Sequence, residues 1–214
     1  MSRHEIVNRI TSEGAVAVVR MADSEKLLRV AEALLRGGLS SLEITMTTPD
    51  ALKVIKGATD EFGDDVLIGV GSVLDSETAR LAILAGAKYV VSPILKREII
   101  ETAHRYDVPA IPGAFTPTEI LQAYEYGADI VKIFPADVVG MAFFKAVKAP
   151  MPHVNLMPTG GVSLTNAGDW IKAGACAVGV GGALLDKKAI AEEKYSVLTE
   201  NAKTLKRSIE SGRT

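Results

Sequence analysis

The chain has 214 residues, with 24 lysines and arginines against 26 aspartates and glutamates, and a formal net charge of −2. That balance speaks against a nucleic-acid binder, which carries a basic excess, and a composition of 48% hydrophobic and 23% charged residues speaks against disorder. A single cysteine, Cys176, excludes an intramolecular disulfide and reads as a small apolar residue beside a strand.

The opening stretch MSRHEIVNRITSEG is charged throughout and lacks an apolar h-region, so no signal peptide is expected. No apolar run reaches the ~18 residues of a membrane span. A helix is predicted over residues 2–12. Eight short apolar runs then follow, at 15–20, 41–45, 66–70, 88–92, 109–112, 129–134, 154–158 and 177–180. Runs this short and this continuously apolar are the mark of parallel strands buried on both faces.

Helical patterns with legible ends lie between them. One starts at Asp23 or Ser24 and stops at Gly37; another starts at Asp75 and ends at Gly86. Thr116, Pro117 and Glu119 make a capping box with proline in the first turn, and Gly127 closes that helix. Ser163 is read as opening a helix that Gly174 ends. The last residues, 211–214, are expected to fray. Strand ends recur at roughly 20–27 residues, the length of one βα unit. Eight such units favour an α/β fold of the closed (β/α)8 TIM barrel type, with the first helix capping its bottom. An open doubly wound sheet is the fallback. No linker or second domain is visible, so residues 1–214 read as one barrel domain.

In such barrels the site lies at the C-terminal ends of the strands. Two residues there are physically odd. Lys132 sits in Asp-Ile-Val-Lys-Ile-Phe, among apolar neighbours on a strand. Desolvation disfavours an ammonium, and a neutral amine can attack a carbonyl to form an imine. The bland alternative is a lysine whose head reaches solvent. Glu43 sits in Leu-Glu-Ile-Thr, also in mid-strand, and runs two and six face each other across a barrel. The pair reads either as a nucleophile with a general acid/base, or as a buried ion pair that satisfies itself. The glycine turns Thr159-Gly160-Gly161 and Gly181-Gly182 follow the last two strands, where barrels often hold a phosphate. His4, His104 and His153 all fall away from strand C-termini, so no metal site is expected.

The strand ends together resemble the 2-keto-3-deoxy-6-phosphogluconate / 4-hydroxy-2-oxoglutarate aldolase family. The resemblance rests on Val18-Val19-Arg20, Leu42-Glu43-Ile44-Thr45, Gly69-Val70-Gly71-Ser72-Val73, Ser92-Pro93, Ile111-Pro112-Gly113, Lys132-Ile133-Phe134-Pro135 and Pro158-Thr159-Gly160-Gly161. It implies a class I aldolase, with Lys132 as the Schiff-base lysine and Glu43 as the general acid/base. It implies that Arg20, Ser72, Pro93, Phe134, Thr159, Gly160 and Gly161 line the substrate pocket. It also implies a cytoplasmic homotrimer that needs no metal or other cofactor and acts on a small 2-oxo acid, with no nucleic-acid or membrane partner.

Three positions depart from the family pattern. Thr47 stands where many members have an arginine, which leaves the substrate carboxylate to Arg20. Ser72 replaces the usual threonine of the third-strand motif but keeps a hydroxyl. Gly182 stands where many members have a phosphate-bonding serine, and this weakens the case for a strict phosphate requirement. The galactonate epimer of the sugar acid remains an alternative substrate, and a non-catalytic barrel that binds a phosphorylated metabolite is the reading of another class.

Overall fold

The computed structural model describes residues 1–214 except Ala22 and the side chain of Ser24. The strands are β1 (Ala15–Val19), β2 (Ser41–Thr45), β3 (Leu67–Gly71), β4 (Val90–Val91), β5 (Ala110–Ile111), β6 (Gly113–Ala114), β7 (Val131–Ile133), β8 (Leu156–Pro158) and β9 (Val178–Val180). Every strand residue is buried, as the apolar runs require of a sheet covered on both faces.

All the pairings are parallel. One ladder runs β5-β4-β3-β2-β1-β9 and another β6-β7-β8. β5 and β6 are two halves of one barrel strand, interrupted at Pro112, which has no N–H to give to a ladder. The Pro112 carbonyl still accepts from the Lys132 N–H at 2.9 Å, which holds the two halves in line. Bridges between Leu156 and Ala175 and between Thr159 and Gly179 join β8 to the β9 edge. Eight strands therefore close into a parallel (β/α)8 barrel.

The helices are α1 (Arg3–Glu13), α2 (Ser24–Arg36), α3 (Ala51–Phe62), α4 (Ser76–Leu84), α5 (Arg97–Arg105), α6 (Pro117–Glu125), α7 (Ala136–Lys148), α8 (Ala167–Lys172), α9 (Lys187–Ala191) and α10 (Tyr195–Arg213). Their starts follow the caps legible in the sequence. Asp23 accepts from the Lys26 N–H at 3.1 Å and Asp75 from the Thr78 N–H at 2.6 Å. Thr116 and Glu119 form the expected reciprocal capping box. The backbone N–H of Phe115, with those of Thr116 and its hydroxyl, holds the Glu119 carboxyl below its ordinary value. Among the described residues no helix is long and apolar enough to cross a membrane.

Two expectations are corrected. The helix read as starting at Ser163 starts at Ala167. Ser163 and Asn166 bond each other instead: Asn166 Oδ1 accepts from the Ser163 N–H at 2.8 Å, and Ser163 Oγ accepts from the Asn166 N–H at 3.1 Å. That turn uses the groups that would otherwise cap a longer helix. The C-terminus does not fray at 211: α10 runs to Arg213, whose guanidinium donates to the carbonyls of Thr11 and Ser12.

The interior has a lower, apolar part. Ile6 and Ile10 of α1 press up into it against Val16, Leu67, Tyr89, Val91, Ile111, Ile130, Met157 and Ala177. Burying each isoleucine contributes about 1.5–3 kcal/mol. The predicted helix thus plugs the barrel's bottom and leaves the top for a site.

Candidate active site

Strand register sets which side chains face the barrel axis. Val18, Glu43 and Gly69 lie level on β1, β2 and β3, so Glu43 points inward from the centre of β2. Lys132 lies level with Gly113 and Met157 on β6 and β8, and Met157 belongs to the interior cluster. Lys132 therefore also points inward. Both are buried, Glu43 to 1% and Lys132 to 5% exposure. The sequence places two charged side chains in the one part of the fold where water is scarce, where unpaired charge is costly.

The neighbours of each are specific. The Glu43 carboxylate lies over Gly71, and a Cβ at Gly71 would overlap Glu43 Oε1. Glycine is required there by space. Glu43 Oε2 is buried with no hydrogen-bond partner in the protein. The Lys132 ammonium stands 5.1 Å from the centre of the Phe134 ring, within cation–π range. Among the described residues Lys132 and Glu43 form no ion pair with each other or with any other group. That removes the self-satisfied buried pair as an explanation for their presence.

At the C-terminal ends of β1, β7, β8 and β9 opens a cavity of about 520 Å³, a size suited to a small metabolite. Of the residues singled out from the sequence, Arg20, Phe134, Thr159, Gly160, Gly161, Gly181 and Gly182 line it. Lys132 and Glu43 are not among its lining residues; Phe134, which does line it, has its ring centre 5.1 Å from Lys132 Nζ, and Thr159 Oγ1 is a further buried atom without a partner. Thr47, Ser72 and Pro93 do not line the cavity. Thr47 is exposed, and its hydroxyl lies 2.8 Å from that of Thr45. Ser72 follows β3 with a left-handed φ of 58°, a strained conformation for a non-glycine residue. Pro93 packs its backbone against Gly113, where a Cβ would overlap its carbonyl.

Several features escaped sequence reasoning. Lys187 and Ile190 of α9 line the cavity, as does Ala183; α9 is a single short helix whose face cannot be read from periodicity. Tyr89 fills the barrel beneath Glu43, its ring packed over Gly69 and its hydroxyl buried without a partner. Burial, with the nearby Glu43 and Glu13 carboxylates, pushes its phenol well above the ordinary value. An apolar run containing one tyrosine gives no sign of that placement.

The remaining candidates sit elsewhere. His104 meets Asp129 at 3.1 Å, His153 stacks edge-on against Tyr124 at 4.7 Å, and His4 lies in a groove at the bottom with Arg3 and Asp129. Among the described residues no three histidines, cysteines or acids cluster as a metal site would need. Burial pushes the Cys176 thiol up to about 12, which disfavours its thiolate.

A parallel (β/α)8 barrel with a lysine and a carboxylate buried in its interior and a cavity at the strands' C-terminal end defines a class: barrel enzymes that work on small carbonyl metabolites. Comparison with known proteins narrows it. The family model "KDPG and KHG aldolase" matches residues 6–200. The 2-dehydro-3-deoxy-phosphogluconate aldolase of Pseudomonas aeruginosa is 37% identical over 188 residues, covering 87% of this chain and 84% of that protein. The 2-dehydro-3-deoxy-6-phosphogalactonate aldolase of Escherichia coli is 33% identical over 167 residues, covering 78% of this chain and 82% of that protein. Among solved structures, the KDPG aldolase of Legionella pneumophila, with pyruvate captured at low pH as a covalent carbinolamine, superposes with a TM-score of 0.86 at 29% identity, over 93% of this chain and 97% of that one. The chain belongs to the KDPG and KHG aldolase family and is an aldolase, a carbon–carbon lyase.

Proposed function

We propose that this aldolase cleaves 2-keto-3-deoxy-6-phosphogluconate, 4-hydroxy-2-oxoglutarate or both, through a Schiff base on Lys132. The products are pyruvate and glyceraldehyde 3-phosphate or glyoxylate. The observation that carries the reading is a lysine buried to 5% exposure with no anionic partner among the described residues, in a barrel whose interior also buries the Glu43 carboxylate.

In the proposed cycle the Lys132 amine attacks the C2 carbonyl to give a carbinolamine. Loss of water gives a protonated imine, which acts as the electron sink. Glu43 takes the C4 hydroxyl proton, directly or through a water, as C3–C4 breaks, and the bonding pair moves into an enamine. Reprotonation at C3 and hydrolysis release pyruvate and restore the amine. The unpartnered Glu43 Oε2 supports its role, because it is free to accept that proton. Arg20, Phe134, Thr159 and the two glycine turns hold the rest of the substrate. One barrel domain over residues 1–214 carries the activity with no metal or other cofactor, as a homotrimer in the cytoplasm.

A second reading, cleavage of the galactonate epimer, is supported by the 33% identity to the Escherichia coli phosphogalactonate aldolase. It shares every step above, and cleavage rates on the two C4 epimers separate it. Borohydride reduction in the presence of pyruvate, followed by peptide mass spectrometry, tests the shared mechanism. A reduced pyruvate adduct on the Lys132 peptide is expected. Folded protein that gives no adduct, beside a control aldolase that does, overturns the reading.

A further inference from the structure

We infer that Lys187 determines substrate specificity, by holding a second anionic group of the substrate at the rim of the cavity. The inference rests on the aldolase reading above. Among the described residues that line the cavity, Arg20 and Lys187 are the charged ones and none is acidic. Neither is engaged by a carboxylate among the described residues.

The nearest acid in sequence, Asp186, is occupied: as the N-cap of α9, its carboxylate accepts from the Ala189 N–H at 2.9 Å. Ile190, half-buried and also on the cavity wall, seats α9 so that Lys187 meets the same space as the glycine turns. Part of the same cavity wall is bare. Gly182 has open space where a side chain would be, so nothing screens the ammonium from a group entering there.

Two cations on separate elements, Arg20 just past β1 and Lys187 at the start of α9, match a substrate with two anions. Arg20 has the planar fork suited to a carboxylate, while the long lysine stem suits an anion at the mobile, solvent-facing end. A phosphoryl group fits that description. Lys187 is thus a substrate-binding residue acting on the part of the substrate that does not react, so it sets which aldehyde-side tail is preferred.

The test compares kcat/KM for 2-keto-3-deoxy-6-phosphogluconate and for its unphosphorylated analogue, in wild type, Lys187→Met and Lys187→Glu. Methionine keeps the stem and removes the charge, and Lys187 is exposed, so the fold tolerates both changes. The ratio of the two values is expected to fall roughly 10–100-fold in Lys187→Met, the worth of a charge-assisted bond, and further in Lys187→Glu. An unchanged ratio in a variant that still forms the pyruvate adduct on Lys132 overturns the role of Lys187 alone. Absence of that adduct in wild type overturns the aldolase reading itself.

Discussion

At the bottom of the barrel Ile6, Ile10, Leu67, Val91 and Ile111 fill the interior with apolar atoms. Further up, Glu43 on β2, Lys132 on β7 and Thr159 just past β8 carry polar groups into the interior; Glu43 Oε2 and Thr159 Oγ1 are buried with no partner in the protein, and glycines stand where side chains would intrude. The two ends differ in what they contribute. The lower layer is close-packed and hydrophobic, and its burial stabilises the fold. The upper layer holds groups whose burial opposes folding, and the proposed chemistry is what would offset that cost. Stability and reactivity are thus separated along one axis, a few residues apart on each strand.

That separation can be broken or sharpened by substitution. The largest effect is expected at Lys132. Lys132→Met removes the proposed nucleophile, so turnover falls to background, while the melting temperature stays the same or rises because an unpaired buried amine is replaced by an apolar chain. Activity loss together with a lowered melting temperature makes Lys132 a structural residue and erases the division.

Next come Glu43→Gln and Gly71→Ala. Both are expected to slow turnover by roughly 10²–10⁴-fold, the range for loss of a general acid/base, and both should still form the pyruvate imine slowly enough to trap. Gly71→Ala acts indirectly, by pushing the Glu43 carboxylate off its position. If single-turnover cleavage by Gly71→Ala matches wild type, the carboxylate is not placed by that contact.

Ile10→Ala probes the opposite end. Loss of a fully buried isoleucine is expected to destabilise by about 2–5 kcal/mol in chemical denaturation, with kcat unchanged below the melting transition. A large fall in kcat at full folding couples the plug to the site.

Tyr89→Phe lies on the boundary and has the smallest expected effect. Its hydroxyl is buried without a protein partner, so removing it is expected to be neutral or to stabilise by about 1 kcal/mol. Urea titration measures this; destabilisation beyond that amount shows that the hydroxyl has a partner that matters.

The barrel was legible in the sequence because each strand is a short run buried on both faces and each connecting helix carries its own cap. Where local rules failed, a longer-range contact or a local competitor prevailed. The start of α8 moved to Ala167 because Ser163 and Asn166 bond each other. The end of α10 held because Arg213 reaches the carbonyls of Thr11 and Ser12, some 200 residues away in the chain. Lys132 and Glu43 stood out at once, since a charge among apolar strand neighbours is anomalous in one dimension as well as in three. Lys187 did not, because a lysine opening a short surface helix looks like any solvated charge.

The sequence by itself determined the strand-helix alternation, most helix starts and the two buried charges, all of which depend on residue type within a few positions. Only the tertiary structure decided which of the strand-end residues share a cavity, that Lys132 and Glu43 are buried with no ion pair among the described residues, and that Thr47, Ser72 and Pro93 are not among the cavity's lining. Those facts depend on the closing of β8 onto β9 and on the direction each side chain takes across the barrel, distances that no local pattern encodes.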